Sequence, residues 1–90
     1  MNVATPTVTM YATGWCPYCA RARALLERKG VAFNEIDVEG GAAVRQEMIA
    51  KSGLRTVPQV FIGDRHVGGW DDLSALDASG ELDRLLGHPA

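Results

Sequence analysis

Two cysteines occur in the chain, Cys16 and Cys19, and they stand three positions apart. They lie between two patterns of different period. Thr7-Val8-Thr9-Met10-Tyr11 reads as a strand, and residues 17–29 read as a helix with no proline or glycine after Pro17. A Cys-x-x-Cys pair at a strand-to-helix junction in an α/β chain reads as a redox pair. Any fold for this chain must therefore deliver Cys16 from a strand end to a helix start.

That placement dictates the chemistry. Proline suits the first helical position, where its missing N–H costs nothing. Cys16 then occupies the N-cap, with its sulfur facing the free N–H groups of Tyr18 and Cys19 and the positive end of the helix dipole. These groups favour thiolate over thiol, so a lowered pKa is expected for Cys16. The helix adds Arg21, Arg23, Arg28 and Lys29 against Glu27 alone. Cys19 lies nearly one turn further in, on the same face, better buried and less acidic. Cys16 is the expected nucleophile and Cys19 the resolving thiol.

Ninety residues suit one domain, residues 1–90, with no room for a second core. Apolar residues at 47% and charged residues at 22% place the chain among ordinary soluble globular proteins. The net charge of −2 and the lack of a long basic run speak against nucleic-acid binding. No apolar run approaches a membrane span, and no membrane partner is expected. Residues 1–6 lack a charged and then apolar leader, so no signal peptide is expected. A bridge between cysteines so close together staples almost nothing. The pair is expected to act chemically in a reducing compartment, the cytoplasm. A monomer is expected.

Residues 8–11 form the first expected strand, followed by the helix at 17–29 with Cys19, Ala22, Leu25, Leu26 and Lys29 on one stripe. Gly30 suits the position after its end. A second strand is expected within residues 31–38, partly buried on both faces, then a turn at Gly40-Gly41. Residues 42–52 read as a helix with Val44, Met48 and Ile49 inward. Residues 59–62 and 66–67 read as a hairpin, closed by Gly68-Gly69. Helices are expected at 70–79 and 81–86, with residues 87–90 as a tail. The order is β-α-β-α-β-β-α, which predicts an α/β fold: a four-stranded mixed sheet with helices on both faces.

At this point the chain resembles a glutaredoxin over roughly residues 8–86. The resemblance is carried by Cys16-Pro17-Tyr18-Cys19, by Thr56-Val57-Pro58-Gln59-Val60-Phe61-Ile62 and by Gly68-Gly69-Trp70-Asp71-Asp72-Leu73. The pattern is most similar to the small bacterial dithiol glutaredoxins, of the glutaredoxin-3-like class. It implies a thioredoxin-like fold, with Pro58 as a cis proline beside the redox pair. It implies that glutathione is the co-substrate and that no metal is needed. The Val57 backbone would pair with glutathione like an added strand, beside Thr56. Gly69, Trp70 and Asp71 would hold the γ-glutamyl end, with helix N–H groups suiting its carboxylate. Asp71 or Asp72 would bind the α-ammonium. Arg45 would sit near the glycine carboxylate, with Arg55 a second candidate, and Tyr18 would flank the mixed disulfide. The implied activity is glutathione-dependent reduction of protein–glutathione mixed disulfides through Cys16, and of protein disulfides through Cys16 and Cys19. Implied clients are glutathionylated or disulfide-containing proteins, ribonucleotide reductase among them.

Two positions depart from the pattern. Thr13 stands where many glutaredoxins carry lysine, removing a cation expected to stabilise the Cys16 thiolate. Trp15 stands where many carry threonine, and looks more like thioredoxin or some cluster-binding relatives. Other readings of the same residues remain. The cysteines as plain structural thiols fit poorly with their place beside Pro17. A zinc site needs two further ligands, and only His66 and His88 are on offer. A thioredoxin-like electron donor served by a reductase protein and an iron–sulfur carrier are the functional alternatives. Arg45 and Arg55 read equally well as solvated surface, and Asp71 and Asp72 as helix caps. Tyr11, Phe33 and Phe61 read as core, and His66 as a strand residue.

Overall fold

The computed structural model describes residues 6–87. The lead-in expected over residues 1–5 and the tail over 88–90, with His88, lie outside the described residues. The first strand, β1 (Val8–Ala12), is central: it pairs in parallel with β2 (Phe33–Asp37) and antiparallel with β3 (Gln59–Ile62). Antiparallel β4 (Arg65–Gly68) completes a mixed sheet of order β2-β1-β3-β4. The helices are α1 (Pro17–Arg28), α2 (Ala42–Ser52), α3 (Trp70–Ser79) and α4 (Glu81–Leu85). The expected thioredoxin-like α/β architecture is the observed one.

The period of two along the strands sorts side chains into two cores. Val8, Met10 and Ala12 of β1 and Val60 and Ile62 of β3 meet Cys19, Ala22, Leu25 and Leu26 of α1, Leu73 of α3 and Leu82 of α4. Tyr11 joins a smaller core with Val38 and Met48, flanked by Ile36, Val44, Ile49 and Phe61. Thus α1, α3 and α4 cover one face of the sheet and α2 the other. The buried residues of α1 are those of the expected stripe. Lys29, its C-cap, reaches Asp77 of α3 at 2.8 Å and Asp83 at 3.0 Å, binding the end of α1 to both C-terminal helices.

The second strand departs from expectation. It is shorter than the stretch 31–38, and only Phe33 and Ile36 are half-buried within it. Its place at the sheet edge leaves Asn34, Glu35 and Asp37 in solvent, where charge discourages pairing with another chain. Val38, read as part of that strand, is instead buried in a single 3₁₀ turn (Val38–Gly40), where the Asp37 carboxylate accepts the Glu39 N–H at 2.8 Å. The fourth strand extends one residue beyond 66–67 at each end. Gly68 belongs to it, with φ +118°, and a Cβ there would crowd the Asp72 carboxylate. Side chains rarely adopt that backbone conformation, which glycine reaches freely.

Candidate active site

The loop 13–16 leaves the central strand and sets Cys16 at the N-cap of α1 in an extended conformation (φ −84°, ψ 124°), with Pro17 following. Cys16 is half-buried and Cys19 fully buried, and both are free thiols. The Cys16 thiol points toward the Val57 carbonyl oxygen at 4.0 Å. That contact joins the redox loop to the segment before β3, where Val57–Pro58 is a cis peptide bond as expected.

The two sulfurs are pushed in opposite directions. Burial raises the Cys16 thiol, but the Cys19 N–H, the Cys19 thiol and the Tyr18 N–H outweigh it and leave Cys16 below the ordinary thiol value. The sulfur forms no full capping hydrogen bond in the resting thiol state, so these groups act by facing it. A thiolate is the stronger acceptor and draws them in. For Cys19, burial raises the thiol; the Thr13 backbone pulls the other way, the neighbouring Cys16 sulfur adds to the rise, and Cys19 stays above the ordinary thiol value. An acidic outer thiol and a reluctant inner one are what attack and resolution require.

The cations of α1 play a smaller part than their number in the sequence implies. Arg23 is engaged with Glu35 of β2 through hydrogen bonds of 2.7 and 2.5 Å. Lys29 is engaged with Asp77 and Asp83, and Arg21 lies over the Tyr18 ring at 5.4 Å. The forces that favour the Cys16 thiolate are the local N–H and S–H groups. Thr13, which brings no cation to Cys16, is buried.

Beside Cys16 runs an open groove of about 260 Å³. Tyr18 lines it and is 52% exposed. Thr56, Val57 and Pro58 form one wall, and Gly69, Trp70, Asp71 and Asp72 the other. Eight expected ligand-binding residues thus meet in one groove. Arg45 and Arg55 do not line it, and neither makes a side-chain ion pair among the described residues. Within the acidic wall the roles separate: Asp72 Oδ2 accepts the Gly69 N–H at 3.2 Å, whereas Asp71 is exposed with no partner among the described residues. Trp70 both lines the groove and packs on the larger core.

Leu54 and Gln59 also line the groove and were not foreseen there. Gln59 is 1% exposed; its Nε2 donates to Thr56 O at 3.0 Å and to Thr56 Oγ1 at 3.1 Å, and its Oε1 meets His66 Nε2 at 2.7 Å. It therefore braces the wall from below. A lone amide at the head of an apolar strand was the available signal, because a buried amide must find partners. His66 keeps the structural part expected of it. No group of three or more His, Cys, Asp or Glu suited to a metal ion occurs among the described residues. Among the same residues, no helix is long and apolar enough to cross a membrane.

Comparison with known proteins agrees with this geometry. The glutaredoxin family model matches residues 8–67. Glutaredoxin 3 of Escherichia coli strain K12 is 58% identical over 79 residues, covering 88% of this chain and 95% of that protein. The solution structure of glutaredoxin from Brucella melitensis is 51% identical, with a TM-score of 0.83 and 98% of both chains covered. The crystal structure of a buckwheat glutaredoxin–glutathione complex is 28% identical, with a TM-score of 0.83 over 91% of this chain and 77% of that one. With its redox pair at a helix start and its groove beside a cis proline, the chain belongs to the glutaredoxins, glutathione-dependent thiol–disulfide oxidoreductases.

Proposed function

We propose that Cys16 is the nucleophile, Cys19 the resolving thiol, and the groove between Tyr18, Thr56–Pro58 and Gly69–Asp72 the glutathione site. The observation that carries this reading is the groove itself. It runs from the Val57 backbone, which the Cys16 thiol faces at 4.0 Å, to the acidic start of α3. The backbone at Val57 offers hydrogen bonds to the peptide part of glutathione. Asp71 is placed for the α-ammonium, since Asp72 already caps α3. Tyr18 and Trp70 supply flanking apolar surface. Arg45 and Arg55 remain candidates for the glycine carboxylate, reaching from outside the groove.

In the monothiol route the Cys16 thiolate attacks the glutathione sulfur of a protein–glutathione mixed disulfide. The S–S bond to the client breaks, and the client leaves as a thiolate that takes up a proton. Glutathione stays on Cys16 until a second glutathione thiolate attacks its sulfur, giving glutathione disulfide and free Cys16. In the dithiol route Cys16 attacks a client disulfide, Cys19 closes the Cys16–Cys19 bond, and the reduced client departs. Two glutathione molecules then restore both thiols. The clients are glutathionylated or disulfide-containing proteins in a reducing, cytoplasmic setting, and the protein works as a monomer.

A glutathione-coupled assay with glutathione reductase tests the assignment. Cys19→Ser is expected to keep deglutathionylation and to lose most reduction of protein disulfides. Loss of both activities in Cys19→Ser, or turnover with thioredoxin reductase but not with glutathione, would overturn it.

A further inference from the structure

A line of hydrogen bonds runs from the outer strand β4, through the first residue of β3, to the groove wall. Gln59, 1% exposed, opens β3 directly after the cis proline. Its Nε2 donates to Thr56 O at 3.0 Å and to Thr56 Oγ1 at 3.1 Å, and its Oε1 lies 2.7 Å from His66 Nε2. His66 stands on β4, its ring 4.9 Å from that of Phe61 between centroids. The chemistry of the groups fixes the direction of this line. A backbone carbonyl accepts and never donates, so the Thr56 carbonyl requires the Gln59 amide nitrogen on its side. The amide oxygen then faces His66, and His66 Nε2 carries the hydrogen between them. At the other end, the Thr56 hydroxyl oxygen accepts from a nitrogen that cannot accept in return. The one hydroxyl proton is therefore turned away from Gln59. Thr56 itself is exposed and lines the groove.

We propose that His66 and Gln59 are positioning residues that make the Thr56 hydroxyl a hydrogen-bond donor to glutathione. This rests on the groove being the glutathione site. Every link donates toward the groove: His66 to Gln59, Gln59 to Thr56, Thr56 to the ligand. Hydrogen bonds aligned head to tail polarise one another, so the last donor is strengthened. A donor selects an acceptor, and the carboxylate and peptide carbonyl oxygens of glutathione are acceptors only. A Gln59 amide turned the other way would set its oxygen against the Thr56 carbonyl and take up the hydroxyl proton. His66 opposes that reversal from the neighbouring strand by placing a donor where the amide oxygen lies. It does not line the groove and acts through Gln59.

Steady-state turnover with glutathione and glutathione reductase tests this in a double-mutant cycle. His66→Phe keeps a ring beside Phe61 and removes the donor. The KM for glutathione is expected to rise roughly threefold to tenfold, the worth of one neutral hydrogen bond, while kcat and the alkylation rate of Cys16 change by less than about twofold. His66→Gln, which again offers an N–H to Gln59, should recover most of the loss. Thr56→Val removes the hydroxyl and should raise KM by a similar factor. Adding His66→Phe to Thr56→Val should then raise KM by less than about twofold more, because the line no longer reaches the ligand. Multiplying effects in the double variant, an unchanged KM in His66→Phe, or failure of His66→Gln to rescue overturns the inference. So does an unchanged KM in Thr56→Val; if Asp71→Asn also leaves KM unchanged, the placing of glutathione in this groove fails with it.

Discussion

Two helices begin beside the same groove and put their first turns to opposite uses. At the start of α1 there is no acidic residue, Pro17 follows the cap, and the N-cap side chain is a sulfur that makes no capping hydrogen bond in the resting state. At the start of α3 stand Asp71 and Asp72, and the Asp72 carboxylate already holds the Gly69 N–H. The backbone dipole is the same at both ends. What differs is whether a carboxylate arrives first. The first helix leaves its N–H groups for an anion created by chemistry. The third has part of its positive end answered from within, so its exposed Asp71 suits an ammonium group. A helix start thus becomes an anion site or a cation site according to the residues at its second and third positions.

The largest expected effect breaks the first half of this comparison. Cys16→Ser removes the anion that α1 is arranged to favour, and glutathione-coupled activity should fall by several orders of magnitude. Residual turnover near the unaltered rate would move the chemistry elsewhere. At the third helix, Asp72→Ala removes the cap and should cost about 1 kcal/mol of stability, read by denaturant unfolding. Asp71→Asn should leave stability nearly unchanged but raise the KM for glutathione roughly twofold to fivefold, the range of an exposed ion pair of about 0.3–1 kcal/mol. If the two variants exchange these effects, the division of labour between the aspartates is wrong.

Much of this site was legible because it is local. A strand, a cysteine, a proline and a helix in succession leave little freedom, and α1 buries the stripe its spacing specifies. What the residues hid was set by distant parts of the chain. Exposure of Asn34 and Glu35 depends on β2 lying at the sheet edge, and pairing order is not a property of that strand alone. Arg23 and Lys29 read as cations near a thiolate, yet their nearest partners, Glu35, Asp77 and Asp83, lie on other elements. Thr13 read as a lost cation, and only the folded chain shows it buried. Gln59 joined the groove for the same reason: its partners Thr56 and His66 come from both sides of β3. Tyr11 was rightly read as core, but its hydroxyl donates to Glu47 of α2, and burial followed by that carboxylate pushes its pKa up to about 12.

The smallest expected effect sharpens the comparison most. Tyr18→Asp gives α1 the acidic second position that α3 already has. Tyr18 is exposed and its ring packs on no core cluster, so the change acts through charge and not through folding. A carboxylate in the first turn competes with the sulfur for the same N–H groups and repels its anion, an effect of about 0.3–1 kcal/mol at an exposed site. The direction follows from linkage. The Cys16 pKa lies below the ordinary thiol value, so the thiolate fraction rises with pH and levels off earlier than for a free cysteine. The variant raises that pKa, so its rate of alkylation should fall on the acid side of the profile and rejoin the unaltered protein at high pH. Because loss of the Tyr18 ring also removes groove surface, Tyr18→Asn is the reference: it changes the ring without the charge. Equal alkylation profiles for the Asp and Asn variants would mean that the helix start does not govern the sulfur, and the contrast between α1 and α3 would lose its physical basis.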